Sequence, residues 1–166
     1  YLTFDADHFF NDAAHVSTFD EFISANDDWS IPSIVIDSDI TLPHGVTNQK
    51  PVLVSEGVTV STGKSDTHDL SEVPVWCVNS IFVNRGTFDG SLNLGHWEGN
   101  TTGSAVINFG TIDASLHLNS DGAFINYGTL TSADTHVPAT SIINMGTILH
   151  TGESGSRFMD IADFFV

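Results

Sequence analysis

The chain has 166 residues, a length that suits one domain, and 40% of them are hydrophobic, which is enough to form a folded core. Its 21 acidic residues face only four Lys and Arg, so the formal net charge is −17. This balance argues against binding the phosphates of nucleic acid and against docking on anionic lipid, and no stretch reaches the roughly 20 apolar residues of a membrane span.

The first 49 residues form an acidic segment with nine carboxylates and no Lys or Arg. Within it, Phe19, Phe22 and Ile23 share one helical face, and Thr18 with Glu21 has the spacing of a capping box. We therefore predict a helix over about residues 17–26, followed by short strands within 33–42. A helix in this place is typical of the cap that hides the first turn of a solenoid from water.

The short spacing of the early carboxylates suggests a calcium site, since Ca²⁺ prefers hard oxygen ligands. The candidate ligands are Asp5, Asp7, Asp12, Asp27, Asp28, Asp37 and Asp39. None of them lies in an EF-hand loop or in a Gly-Gly-x-Gly-x-Asp nonapeptide, and a solvated acidic face is the alternative. Calcium is the only cofactor that the sequence suggests.

From residue 83 onward one six-residue motif occurs four times. It reads VNRGTF at 83–88, INFGTI at 107–112, INYGTL at 125–130 and INMGTI at 143–148, and its Asn residues are spaced by 24, 18 and 18 positions. The longer spacing contains one extra hexad, which falls in the Gly- and Thr-rich stretch 95–104 and predicts a loop there.

A finer period of six underlies these repeats. Twelve of the fourteen positions reached in steps of six from Leu70 to Ile148 are apolar, a period that no α-helix matches. We predict an all-β, single-stranded parallel β-helix (a β-solenoid) over residues 50–154, with 18-residue turns of three short faces stacked about 4.8 Å apart. The repeats allow about five turns.

The repeated residues suit the corner of each turn. The Asn residues are predicted to form an amide ladder along the stack, and the Gly two positions later is predicted to adopt the positive φ of a tight corner. The ladder positions are Asn84, Asn108, Asn126 and Asn144, with Gly86, Gly110, Gly128 and Gly146.

The stretch GTIDASLHLNSDGAFINYGTL resembles the degenerate repeats of filamentous-haemagglutinin-type adhesins and other right-handed parallel β-helix surface proteins. The resemblance covers about residues 70–150 and is one of repeat style. It implies an exported protein with a right-handed solenoid, whereas the strict hexad is also found in left-handed β-helices such as hexapeptide acyltransferases. Right-handed winding is favoured, because Leu92, Leu116 and Asp134 stand where left-handed repeats place a small residue.

Two further regions are candidates for binding. His96, Trp97 and Glu98 in the predicted loop could hold a sugar ring by stacking and hydrogen bonding, and the alternative is that Trp97 covers a neighbouring turn. The residue before each ladder Asn is predicted to form an outward apolar column (Val83, Ile107, Ile125, Ile143), helped by Phe109, Tyr127 and Met145. The terminal segment 155–166, which contains Phe164 and Phe165, is predicted to be an apolar cap or a docking segment.

These patterns predict an exported structural or adhesive protein that self-associates into a fibre or surface assembly and has no catalytic role. We expect it outside the cell or on its surface, with any signal peptide removed, as a homo-oligomer that contacts neither nucleic acid nor the membrane interior. The alternative is a carbohydrate-binding module or a polysaccharide-active protein that uses the 95–104 loop. β-Helix lyases generally use an Arg or Lys base with calcium, and only Arg85 and Arg157 are present.

Overall fold

The computed structural model describes residues 6–42, 46–48, 50–62, 75–77, 80–94, 104–118, 122–132, 135–136 and 141–151. A 3₁₀ helix, Ala6–Phe10, opens this part of the chain, and one α-helix, α1, spans Phe19–Asp27. The strands in chain order are β1 (Ala14–Val16), β2 (Ile34–Ile36), β3 (Ile40–Leu42), β4 (Val46–Asn48), β5 (Val52–Val54), β6 (Thr59–Thr62), β7 (Val75–Cys77), β8 (Ile81–Asn84), β9 (Thr87–Leu94), β10 (Ala105–Asn108), β11 (Thr111–Leu118), β12 (Ala123–Asn126), β13 (Thr129–Ser132), β14 (Thr135–His136), β15 (Ser141–Asn144) and β16 (Thr147–His150).

The strands stack as a parallel β-solenoid, which confirms the predicted fold class. One sheet, sheet A, has the order β1-β2-β5-β8-β10-β12-β15, and the other, sheet B, contains the path β16-β13-β11-β9-β6-β3. Four turns carry the repeated Asn. Toward the N-terminal end, β2 and β5 extend sheet A, and β3 and β6 extend sheet B. The predicted count of about five turns therefore differs slightly from the observed stack.

A bend inside the long strand β9 separates two faces of the turn, as the three-faced prediction requires. The first part of β9 pairs with β6, and Leu92 to Leu94 pair with β7. Gly90 lies between them with a φ of 149°, and a Cβ built there would come 1.7 Å from Thr62 Oγ1. Only glycine fits this bend without displacing its neighbour.

The core is a single cluster of inward side chains, and much of it follows the six-residue step. Phe82, Phe88, Val106, Ile112 and Phe124 are buried, and they belong to one cluster that runs along the solenoid axis. Leu92 and Leu116 are also fully buried on the third face, although the six-residue step does not pass through them. They face inward because alternate residues of a strand share a face.

The Asn ladder forms as predicted. The Nδ2 of Asn84 donates to Asn108 Oδ1 at 2.9 Å, and the same bond at 2.8 Å links Asn108 to Asn126 and Asn126 to Asn144. Each of the three donors also reaches a Thr carbonyl of the next turn, at 2.9 to 3.1 Å. The ladder starts at Asn84 because Val54 occupies its position in the turn before, which leaves Asn84 Oδ1 buried and without a hydrogen bond.

The predicted reason for the corner glycines is wrong. Among the described residues only Gly57 and Gly90 have a positive φ, so the corners do not need left-handed backbone. A Cβ on Gly128 would instead lie 2.0 Å from Gly110 O, and one on Gly110 or Gly146 would lie 2.1 Å from the corner carbonyl of the preceding turn. The corners require glycine because consecutive turns approach too closely for any side chain between them.

The α-helix covers the N-terminal end of the core. The predicted Thr18–Glu21 cap is present, with Glu21 reaching one residue beyond the N-cap: Thr18 Oγ1 accepts from Glu21 N at 3.2 Å, while Glu21 Oε2 accepts from Ser17 N at 2.7 Å. Phe22 and Ala25 enter the main core cluster. These contacts place α1 over the first turn, and they shield its apolar side chains from water.

The C-terminal end of α1 is held by a buried lysine. Lys50 is 7% exposed, and its ammonium group donates to Ala25 O at 2.6 Å and to Asp28 O. The last carbonyls of a helix lack partners within the helix and carry partial negative charge. A cation from the next turn satisfies them, since the last turn of α1 contains no basic residue.

Candidate functional site

The outer surface of sheet A carries an apolar column in strict register. Val35, Leu53, Val83, Ile107, Ile125 and Ile143 are successive Cα partners from β2 to β15. Val83 belongs to a cluster separate from the core, so the predicted outward column exists as a feature of the surface of the solenoid. Its exposure rises toward the C-terminal end, from 0% at Val83 and 3% at Ile107 to 49% at Ile143.

The N-terminal segment covers the first half of this column. Phe10 is buried against Val35, Leu53 and Val83, with Ala13 and Ile81 packed beside them. Asp7 Oδ1 lies 3.1 Å from Arg85 Nη2 and ties the segment to the solenoid corner. Val83 is therefore already covered within the chain, and Ile107 is buried as well, so neither residue can contact a partner as the prediction proposed.

A second column lies at the corner, one residue after each ladder Asn. The rings of Phe109 and Tyr127 are stacked, with centroids 5.0 Å apart and planes 5° from parallel. This separation is close to the spacing between stacked turns, so the solenoid itself brings the rings together. Met145 follows in the last described turn and is 60% exposed.

The apolar members of these two columns that are not buried are together called the apolar strip, which we define as Phe109, Ile125, Tyr127, Ile143 and Met145. Phe109 is 40% exposed, Tyr127 is 37% exposed, and Ile125 is half-buried. The strip contains no charged residue, and four of its five members lie in turns whose described residues, 122–132, 135–136 and 141–151, contain no Asp, Glu, Lys or Arg; the turn of Phe109 contains Asp113. Such a surface can bury apolar area against a partner without desolvating a charge.

The carboxylates predicted to bind calcium are held by separate local contacts. Asp7 pairs with Arg85, Asp39 Oδ1 accepts from Thr59 N at 2.7 Å, and Asp28 Oδ1 accepts from Ser30 N and Oγ at 2.9 and 2.7 Å. Within the described ranges, no three His, Cys, Asp or Glu side chains lie close enough to hold a metal ion. Asp12 and Asp27 lie on the surface, and Asp5 lies outside the described residues.

Asp37 joins three neighbouring turns. Its Oδ2 lies 2.5 Å from His15 Nδ1, and its Oδ1 accepts from Ser55 Oγ at 2.7 Å. Partial burial opposes ionisation, but the hydrogen bonds from Ser55 and His15 outweigh it and lower the pKa of Asp37. Ser55 bonds to the carboxylate and not to the imidazole, so the trio lacks the serine-to-histidine contact of an activated nucleophile.

A shallow groove of about 470 Å³ lies between α1 and β1. Its floor includes Val16 and Ala25, and its rim carries Glu21 and Asp28. Both carboxylates already accept hydrogen bonds from nearby backbone N–H groups. The two carboxylates of the rim therefore already have partners at the ends of α1. The groove is for this reason a weaker candidate for a binding site than the apolar strip.

The other predicted site residues lie outside the described residues. They are His96, Trp97 and Glu98 of the 95–104 loop, together with Phe164 and Phe165. Sugar binding by the loop and docking by the terminal segment both stay predictions.

Sequence reasoning did not predict the covering role of Phe10 or the capping role of Lys50. The apolar pair Phe9-Phe10 within the acidic DADHFFND stretch was a signal for the first, and Lys50 as the earliest basic residue of the chain was a signal for the second. Neither signal identifies the partners, because the buried partners of Phe10 and the carbonyl partners of Lys50 lie more than 20 residues away in the chain.

A scan of protein-family models, a search of curated proteins and a search of solved structures found no match to this chain. Over the described part of the chain, no helix has the length and apolar character needed to cross a membrane.

Proposed function

We propose that this chain is an exported structural or adhesive β-solenoid that self-associates through the apolar strip and has no catalytic role. The observation that carries the proposal is the unequal covering of one apolar column, which is buried by Phe10 at one end and open at Ile143. A large exposed apolar patch with a neutral setting is typical of a protein–protein contact.

The covered half of the column indicates how the open half can be occupied. Phe10 inserts an aromatic side chain against three aliphatic residues, and Asp7 adds one ion pair at the edge. An aromatic or aliphatic side chain of a second molecule would find the same kind of surface at Ile125 and Ile143. The stacked Phe109 and Tyr127 would add a rigid aromatic anchor of the kind that dominates contact energies.

Export and adhesion rest on the sequence. The strongly acidic composition suits a salty or cation-rich medium, in which ions screen the self-repulsion of the chain. The repeat style resembles that of surface adhesins, and a parallel β-solenoid is the fold that this resemblance implies. A rigid solenoid also presents its surface columns at fixed spacing, which suits repeated contacts along one side.

Sedimentation velocity of the full chain over a wide concentration range tests the proposal. The wild type should form oligomers, and Met145→Lys should shift them toward the monomer, because the contact would then bury an unpaired charge. Trp29→Lys is the matched control: Trp29 is an exposed apolar residue, 86% exposed, at the opposite end of the solenoid. A wild type that stays monomeric at every concentration contradicts the proposal.

A further inference from the structure

The two ends of the solenoid differ in a way that restricts assembly. At the N-terminal end, α1 covers the first turn, with Phe22 only 1% exposed and Lys50 holding the helix terminus. At the C-terminal end, β15 and β16 are the last members of their sheets, and no described strand pairs with their outer edges. Among the described residues, only the C-terminal end therefore presents uncovered strand edges to which a further turn could be added.

Over the described residues, the core is covered at the first end and less covered at the second. Phe124 and Leu130 are buried in the turn before the last, while Ile142 and Ile148, which continue the same columns, are only partly buried. The ladder also stops: Asn144 Nδ2 reaches only Gly146 O of its own corner, at 3.2 Å. The last turn presents apolar side chains and backbone groups that the earlier turns satisfy by stacking.

Charge is distributed unevenly along the same axis. Eight of the eleven carboxylates in the described residues precede residue 40, at the capped end, whereas the described residues from 122 to 151 carry no charge apart from any on histidine. Two copies that approach by their capped ends, or by one capped and one open end, bring acidic surface to the contact. Two copies that approach by their open ends keep the two capped ends, each with its eight carboxylates, farthest apart.

We infer that the occupant of the open end is a second copy of this chain, related by a twofold axis, so that the last turns of the two copies meet. The contact uses the outer edges of β15 and β16 together with Ile143 and Met145 of the apolar strip. Such a contact is isologous and closes on itself, so it makes a pair and not an endless fibre. This inference rests on the proposed self-association and specifies its geometry.

Cross-linking with single introduced cysteines tests the geometry. Thr151→Cys places a thiol on the exposed residue that follows β16, and Trp29→Cys places one at the capped end. Under mild oxidation the Thr151→Cys chain should form covalent dimers and the Trp29→Cys chain should not. The wild type, with Cys77 alone, measures the background.

Leu149→Lys provides a second measurement. Leu149 is 51% exposed on β16, outside the apolar strip. If the end itself is in the contact, the substitution should raise the dimer dissociation constant by at least about tenfold. Thr147→Lys, also exposed on β16, should do the same if Leu149→Lys fails to fold.

The possible outcomes separate the two proposals. A chain that remains monomeric at all concentrations overturns both. Oligomers that cross-link through Trp29→Cys, or only when the two cysteine variants are mixed, overturn the twofold contact and leave self-association standing. Oligomers that neither form Thr151→Cys dimers nor respond to Leu149→Lys also overturn the twofold contact and leave self-association standing. This is the result expected if residues 152–166 cover the end.

Discussion

At the scale of single residues, the repeated motif is explained by contacts between neighbouring turns. Asn108 accepts from Asn84 and donates both to Asn126 and to a Thr carbonyl, so its buried amide uses each face of the stack. The glycine two positions after each Asn lies directly against the carbonyl of the preceding corner. Both residue types are needed because identical corners are stacked without a gap.

Gly128→Ala tests this explanation of the corner. The new Cβ would lie 2.0 Å from Gly110 O, and the turns would have to separate, so the free energy of unfolding should fall by about 2–3 kcal/mol. Urea denaturation measures the change. Gly57→Ala is the control: Gly57 has a φ of 78° and open space around its Cβ position, so only backbone strain of about 1 kcal/mol applies. An equal or smaller loss at Gly128 would contradict the close-approach argument.

At the scale of secondary-structure elements, the cap depends on contacts that join α1 to the turns beneath it. Lys50 lies two residues before β5, yet its ammonium group lies at the C-terminus of α1 and neutralises the partial charge of two carbonyls. Asp37 links β1 to the corner after β5 through His15 and Ser55. The first turns are held by polar contacts that later turns do not repeat.

Lys50→Met should weaken the cap while keeping most of the buried side-chain volume. The change removes both hydrogen bonds from a charged donor. Ala25 O loses its Lys50 partner, whereas Asp28 O still accepts from Ile31 N at 3.0 Å, so we expect a loss of about 2–3 kcal/mol. Hydrogen exchange of the α1 amides should accelerate more than exchange of β10 and β12. Thr18→Ala, which removes the N-cap, is the comparison and should cost about 1 kcal/mol. Unchanged exchange in α1 would show that Lys50 does not hold the helix.

Asp37 predicts a pH dependence of stability. Its folded-state pKa lies below the ordinary value, so the folded protein binds fewer protons there than the unfolded chain. The stabilisation is present above the ordinary carboxyl pKa of about 3.9 and is lost as the pH falls through the lower folded value. Asp37→Asn should cost about 0.5 kcal/mol at neutral pH, since the group is partly exposed, and the difference from wild type should vanish in acid. Urea unfolding at neutral and at acid pH measures the difference in free energy of unfolding between wild type and Asp37→Asn. A difference that stays constant would refute the prediction.

At the scale of the whole molecule, net charge and apolar surface oppose each other. A formal charge of −17 makes two copies repel, while the apolar strip and the open last turn favour contact. The proposed self-association is least opposed where the described residues carry the least charge, which is the C-terminal half of the described solenoid. The distribution of carboxylates therefore determines which surfaces can meet.

Ionic strength should strengthen the association. Salt shortens the Debye length from about 30 Å at 0.01 M to about 8 Å at 0.15 M, so the repulsion between two acidic copies falls. We expect the dissociation constant to decrease by roughly threefold or more over this range. Sedimentation equilibrium in a salt series measures it. A dissociation constant that rises with salt would mean that ion pairs, and not the neutral apolar strip, hold the copies together.

The sequence by itself determined the solenoid, because its period of six and its repeated Asn are local patterns that recur from turn to turn. The inward column, the ladder and the capping box of α1 follow from spacing alone. The apolar strip was half predictable: Ile143 and Met145 are exposed as their alternation suggests, whereas Val83 is buried.

Only the tertiary structure decided which part of the outer column stays open. Phe10 meets Leu53 and Val83 although more than 40 residues separate them in the chain, and no periodic pattern records such a contact. The same holds for the corner glycines: a repeated Gly is visible in sequence, but whether it serves a positive φ or a close approach depends on the distance between turns. Stacking sets that distance, and stacking exists only once the chain has folded back on itself.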